Sequence, residues 1–288
     1  MNWFKIARPV TFTASIAPVA VGIASAKYCT GNITSRQWID GTIILITAIF
    51  IQIFSNFAND LYDFRRGEDS SPTRLGPGRA ISKGLVSEKQ MTTAMLVSLA
   101  FAVAGGIYLI VLGGFEIAVI GITAILFAYL YSATKHSLSH TGMADIFCFM
   151  YYGPIATMGT TYLLTGYWDS TSFTFGAGCG AISIALLTIN NLRDIEEDKA
   201  HGKMTLVARG GETFGKVYYT FAICVPAAIL FVTADWISGT IFATACVTNN
   251  LIAFFRLYNR KFNMLLGYAS LYNILYAASI ICYVLISH

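Results

Sequence analysis

Charge is scarce in this chain. Asp, Glu, Lys and Arg make up 12% of 288 residues, against 56% hydrophobic residues and a mean hydropathy of +0.62. A soluble domain carries about 25% charged residues. The apolar residues also fall in long blocks and not at amphipathic spacing, which points to a bilayer as solvent. The six cysteines (29, 148, 179, 224, 246 and 282) are scattered and form no CxxC pair, which excludes a zinc knuckle and a disulfide framework. No small-residue cleavage site follows Lys5 and Arg8, so the N-terminal apolar run reads as a retained first helix and not a removed signal peptide. A net charge of +4 is no footprint of nucleic-acid binding, because the bases have another use.

What is present is a series of long apolar runs. Nine helical spans are expected, near 10–27, 40–63, 90–112, 115–132, 143–165, 172–192, 213–233, 236–256 and 264–286. The expected fold is therefore all-α, a polytopic membrane bundle of nine transmembrane helices. Gly105-Gly106, Gly113-Gly114 and Gly176/Gly178/Gly180 suit close helix packing or tight turns in lipid. With the N-terminus in the cytoplasm, all but Lys27 and Arg36 of the 19 Lys and Arg fall on the cytoplasmic side, and the C-terminus lies outside. The expected location is the cell (inner) membrane, crossed many times.

The scarce acids gather at two helix ends on that side. In "SNFANDLYDFRRGEDSSPTRLGPGRAISKGL" (55–85), Asn56, Asp60 and Asp63 are spaced i, i+4, i+7 and share one helical face. In "TINNLRDIEEDKAHGK" (188–203), Asn190, Asp194 and Asp198 repeat the spacing as i, i+4, i+8. Both clusters end even-numbered helices, so they can face one cavity. Paired carboxylates suit Mg²⁺, which takes one or two of them together with substrate phosphates. The neighbouring Arg65, Arg66, Arg79, Lys83, Lys203 and Arg209 suit phosphate oxygens. Acids and bases together, twice, describe a metal–diphosphate site. Asp60 and Asp194 stand at or inside helix ends, where an ionised group is costly and reads as functional, whereas Glu88, Lys89, Lys216 and Glu196 read as solvated.

These segments resemble a family. "NFANDLYD", "RLGPGRAISKG" and "NNLRDIEEDKAHGKMTLVARGG" are similar to the two Asp-rich motifs of the UbiA-type membrane prenyltransferases. Within that superfamily they resemble the subgroup that prenylates 1,4-dihydroxy-2-naphthoate in menaquinone synthesis. "ARPVTFTASIAPVAVG" (7–22) and "YSATKHSLSHTGMADIFCFMYYGPIATMGTTYL" (131–163) are similar to the same subgroup, while over the last three helices only hydrophobicity is shared. The resemblance implies one prenyltransferase domain over 1–288, with a central cavity open to lipid and loops near 64–89 and 193–212 over the active site. It implies Mg²⁺-dependent transfer of a polyprenyl group from an isoprenyl diphosphate to an aromatic acceptor, here with loss of CO₂ to give demethylmenaquinone. Carried over, Asp60, Asp63, Asp194 and Asp198 are the metal ligands, with Asn56 part of the first motif. The family's usual third Asp falls on Gly67, so Asp69 or Glu68 is expected to replace it.

The chemistry then assigns the remaining roles. The leaving diphosphate needs positive charge and hydrogen-bond donors, expected from Arg65, Arg79, Lys83 and Lys203 and from the Asn56 amide around the metal. The allylic cation needs a water-poor pocket with π faces. Phe57, Tyr62, Phe127, Tyr131, Tyr151, Tyr152 and Tyr162 are available, and Tyr131 is the choice. Lys135 or Arg193 would meet the acceptor carboxylate, and Asp145 would orient an acceptor hydroxyl or Lys135. The loop "GEDSSPTRLGPGR" (67–79) reads as a lid. The alternatives are another acceptor in the superfamily (4-hydroxybenzoate, homogentisate, haem, a chlorophyllide or a glycerol phosphate lipid) and, from another class, a secondary transporter. Against a transporter stand the acids at one face, away from the midplane, and the lack of an inverted repeat.

Overall fold

A computed structural model describes residues 2–67, 79–134, 137–233, 236–258 and 261–287. Among the described residues there are helices and no strands. The chain enters through a short helix α1 (Trp3–Ile6) and a 3₁₀ turn (Pro9–Phe12). It then runs through α2 (Thr13–Thr30), α3 (Ser35–Arg66), α4 (Glu88–Leu130), α5 (Leu138–Thr141), α6 (Ala144–Tyr151), α7 (Pro154–Thr165) and α8 (Ser170–Arg193). It continues through α9 (Ile195–Ala200), α10 (Leu206–Thr233), α11 (Trp236–Phe242), a π-helical turn (Ala243–Val247), α12 (Thr248–Leu257) and α13 (Phe262–Ser287).

Seven helices among the described residues are long and apolar enough to cross a membrane. The expected third and fourth spans both lie in the 43-residue stretch α4 and part where expected, at Gly114 (φ 74°, ψ −153°), whose non-helical backbone, a conformation that glycine adopts without strain, separates two helices. Unbroken, it would be about 64 Å long, twice the hydrocarbon core of a bilayer. The expected fifth span is a pair, α6 and α7, split at Gly153 and restarted by Pro154 at the first helical position.

Helix α3 begins before its apolar run because Thr34 and Gln37 form a capping box, and it ends at Gly67 in the left-handed region (φ 74°). It therefore carries the charged "NDLYDFRR" as helix. Helix α4 starts on the same device, Ser87 with Gln90, and packs along α3. The other half of the bundle is built on α2 and α8, with α7, α10 and α13 against them. Its contacts are close where glycine removes a side chain. The Tyr276 ring sits where a Cβ of Gly178 would be, and its hydroxyl donates to the Phe175 carbonyl at 2.9 Å. The apolar window of α8 is 67% buried and that of α4 only 22%, so α8 is the inner post and α4 an outer, lipid-facing wall.

Candidate functional site

The periodicity of α3 places Asn56, Asp60 and Asp63 inward, each buried, while Phe64 and Arg65 of the same turns are exposed. Asp60 Oδ2 accepts the Ala80 N–H at 3.2 Å. Its Oδ1 is buried without a hydrogen bond, and Arg8 and Arg79 stand at 3.7 and 3.8 Å. Asp63 is held by Arg66 at 2.5 Å and by Arg79, which also donates to Asn59 Oδ1 at 3.0 Å. Arg66 also donates to the Ser132 carbonyl, tying the end of α3 to the turn that carries Tyr131.

The second cluster departs from the expected single helix. Asp194 closes α8 with non-helical backbone (φ −102°, ψ 13°), and α9 starts at Ile195. The Asp198 N–H still bonds the Asp194 carbonyl at 2.8 Å, so the two carboxylates keep roughly one turn of separation. Arg193, buried in the bundle, grips Asp194 with two hydrogen bonds of 2.7 and 2.6 Å. Lys203 reaches Asp198 at 3.3 Å, brought back by the turn at Gly202 (φ 70°). That loop is anchored by the Met204 N–H on the His140 carbonyl and by Arg209 on the Thr141 carbonyl.

The two clusters meet. Asp63, Arg79, Asp194, Glu197, Asp198, His201 and Lys203 line one small cleft of about 30 Å³. Arg79 also lines a far larger, mostly apolar chamber of about 980 Å³, together with Arg8, Asn56, Asn59, Asn190 and Arg193. On α3 the chamber wall runs from Ile44 to Asn59, roughly 22 Å of helix. Of the aromatic residues expected there, Phe127, Tyr131, Tyr151 and Tyr152 do line it. Phe57 instead packs on Trp3, Tyr62 on Tyr129 and Tyr162 on Trp168. Sequence reasoning missed Phe147, whose ring lies 3.9 Å from that of Phe127. Its spacing of four from Tyr151 was the available signal.

Other expected residues lie apart. Arg65 pairs with Glu88 at 2.5 Å and packs over Tyr62, lining neither space. Lys83 is exposed in the turn after Arg79. Asn56 lines the chamber, but its amide donates to the Ala7 carbonyl and to Thr11 Oγ1, both at 2.9 Å. Asp145 is buried behind the chamber wall, between wall residues Ala144 and Cys148 in sequence. Lys135, Glu68, Asp69 and all of the expected lid except its ends lie outside the described residues.

No three His, Cys, Asp or Glu among the described residues converge tightly enough to hold an ion alone. The protein instead offers single carboxylates from two helix ends, one with a buried oxygen lacking a hydrogen bond. That set fits a hard cation such as Mg²⁺, which keeps waters and completes its shell with phosphate oxygens.

A chamber apolar through its depth and charged at one mouth is the site of a multi-pass membrane enzyme that handles amphiphiles with an anionic head. The comparison with known sequences narrows this class: residues 15–284 match the UbiA prenyltransferase family, and the chain belongs to that family. It is 34% identical over 249 residues to a 1,4-dihydroxy-2-naphthoate octaprenyltransferase of Haemophilus influenzae, covering 83% of this chain and 79% of that one. It is 30% identical over 231 residues to a protein of the same description from Mycobacterium tuberculosis, covering 80% and 77%. Among solved structures, a UbiA homolog from Archaeoglobus fulgidus bound to DMAPP and Mg²⁺ superposes with a TM-score of 0.67 at 16% identity, covering 99% of this chain and 100% of that one.

Proposed function

We propose that this prenyltransferase moves a polyprenyl group from an isoprenyl diphosphate to 1,4-dihydroxy-2-naphthoate, with Mg²⁺, and releases CO₂ and diphosphate. The observation that carries this reading is that Arg79 lines two spaces at once, a small cleft of carboxylates and cations and a long apolar chamber. An anionic head and a polyprenyl tail need that pairing. The relatives described as naphthoate octaprenyltransferases support the acceptor, and the structural neighbour that holds DMAPP and Mg²⁺ supports the donor and the metal.

Asp60, Asp63, Asp194 and Asp198 would hold Mg²⁺, which when bound supplies Lewis-acid stabilisation of the leaving diphosphate. Arg79 and Lys203, already at the carboxylates, neutralise the phosphate oxygens as the allylic C–O bond breaks. Phe127, Tyr131, Tyr151 and Tyr152 flank the allylic carbon with π faces and keep water from it. Arg193, at the chamber edge, meets the acceptor carboxylate. The ring carbon bearing that carboxylate attacks C1 of the prenyl chain, a C–C bond forms, and the electron pair of the departing carboxylate restores the aromatic ring as CO₂ leaves. The product of this redox-neutral step is the hydroquinone form of demethylmenaquinone. The charged ends of α3 and α8 face the cytoplasm with the N-terminus, and the C-terminus of α13 lies outside the inner membrane, an orientation supported by the one-sided Lys and Arg.

The test is a membrane assay with Mg²⁺, an allylic diphosphate and either 1,4-dihydroxy-2-naphthoate or 4-hydroxybenzoate. Prenylation of the naphthoate with stoichiometric CO₂ release is expected. Prenylation of hydroxybenzoate alone would overturn the acceptor, and no prenylation of either would overturn the reaction.

A further inference from the structure

Arg8 is the one non-glycine residue with positive φ among the described residues (φ 57°, ψ 65°), and it precedes Pro9. A left-handed conformation strains a residue with a Cβ, and a following proline restricts it further. Such strain persists only where the surroundings over-determine it. Here they do. Thr11 returns two hydrogen bonds to the Arg8 carbonyl, from N–H at 2.9 Å and from Oγ1 at 2.8 Å. The Asn56 amide, on α3, donates to the Ala7 carbonyl on one side of Arg8 and to Thr11 Oγ1 on the other. Gln52 donates to Asn56 Oδ1 at 3.3 Å and fixes which way the amide faces. From the opposite side, Ser270 on α13 donates to the Val10 carbonyl at 3.1 Å. The result is a strap, residues 7–12, stretched from α3 to α13, with Arg8 lining the chamber and its guanidinium 3.7 Å from Asp60.

We infer that Asn56 is a positioning residue and not a ligand of the diphosphate: it clamps the strap so that Arg8 presents a fixed cation to an anionic group of a substrate at the chamber mouth. Both amide hydrogens are used in the clamp, and the oxygen is used by Gln52, which leaves Asn56 nothing to offer a phosphate. The inference rests on the proposed prenyl transfer for the nature of the anion. That anion is the allylic diphosphate or the acceptor carboxylate, and kinetics distinguish them.

Asn56→Ala, Thr11→Val, Arg8→Gln and the double variant Asn56→Ala/Arg8→Gln are compared in membranes. Arg8→Gln raises one KM about tenfold or more, the factor carried by a hydrogen bond to a charged group; a rise for the diphosphate or for the naphthoate names the anion. Asn56→Ala and Thr11→Val raise the same KM, and the double variant is no worse than Arg8→Gln, because Asn56 acts through Arg8. Multiplying effects in the double variant, or Thr11→Val like wild type beside a crippled Asn56→Ala, would overturn the inference. So would unchanged KM values in Arg8→Gln. Amide hydrogen exchange of residues 5–12 reads the clamp even without turnover: faster exchange in Asn56→Ala and Thr11→Val is expected, and wild-type protection in both would contradict it. If wild-type protein turns over no naphthoate while the exchange result holds, the functional reading fails and the clamp stands.

Discussion

At the end of α3, Asp63 meets Arg66 of its own helix, but the other cations arrive from elsewhere in the chain: Arg8 from the N-terminal strap at Asp60, and Arg79 from the connection to α4 at both carboxylates. At the α8–α9 junction, Asp194 and Asp198 meet cations close in sequence, Arg193 next to Asp194 and Lys203 five residues beyond Asp198. The second cluster thus forms with its own helix ends. The first is complete only when the strap and the connection are in position. One half of the site is local and preorganised, and the other is assembled by tertiary structure, so disturbances far from the chemistry should reach the first half and spare the second.

The predictions follow that division, from the largest effect down. Asp60→Asn and Asp194→Asn should each lower kcat/KM by about a thousandfold, since each removes one of the few carboxylates available to the metal. Retained activity in one of them, with the protein folded, would make that cluster dispensable and break the pairing. Arg79→Ala should cost about a hundredfold, because this one guanidinium contacts Asp60, Asp63 and Asn59 and borders both spaces. Its effect should exceed that of Lys203→Ala, about tenfold, whose ion pair with Asp198 belongs to the local half. Equal losses in these two variants would erase the distinction between assembled and local halves. Arg65→Ala should change turnover less than about twofold: its exposed pair with Glu88 is of the kind worth about 0–1 kcal/mol and lines neither space.

The two halves also differ in how far they could be read in advance. The inward face of Asn56, Asp60 and Asp63 follows from helical periodicity alone, and α3 keeps that periodicity beyond its apolar run. Asp194 and Asp198 were legible as a pair but not as a helix break, because a turn at one residue leaves their spacing almost unchanged. The paired role of Arg79 was visible as a basic residue near acids, whereas Arg65, equally near in sequence, points to Glu88 across the α3–α4 hairpin. Direction around a helix decides between them once the partner helix is known. The strap was not legible. It depends on a left-handed Arg8 and on an α3 amide meeting a backbone carbonyl 49 residues earlier, and nothing in local composition marks either. Most span ends agree to within a few residues because apolar length is what the bilayer selects. The largest discrepancy is the fifth span, which parts into α6 and α7 at Gly153, where Pro154 starts a new helix.

The central claim is that the two carboxylate clusters form one Mg²⁺–diphosphate site. Its most direct test is calorimetric binding of a non-hydrolysable allylic diphosphate analogue to the purified protein, with Mg²⁺ and with EDTA, in wild type, Asp60→Asn, Asp194→Asn and the double variant. Binding only with Mg²⁺, lost in either single variant and no weaker in the double, is the expected result. Near wild-type affinity in either single variant, or full binding in EDTA, would contradict a shared site.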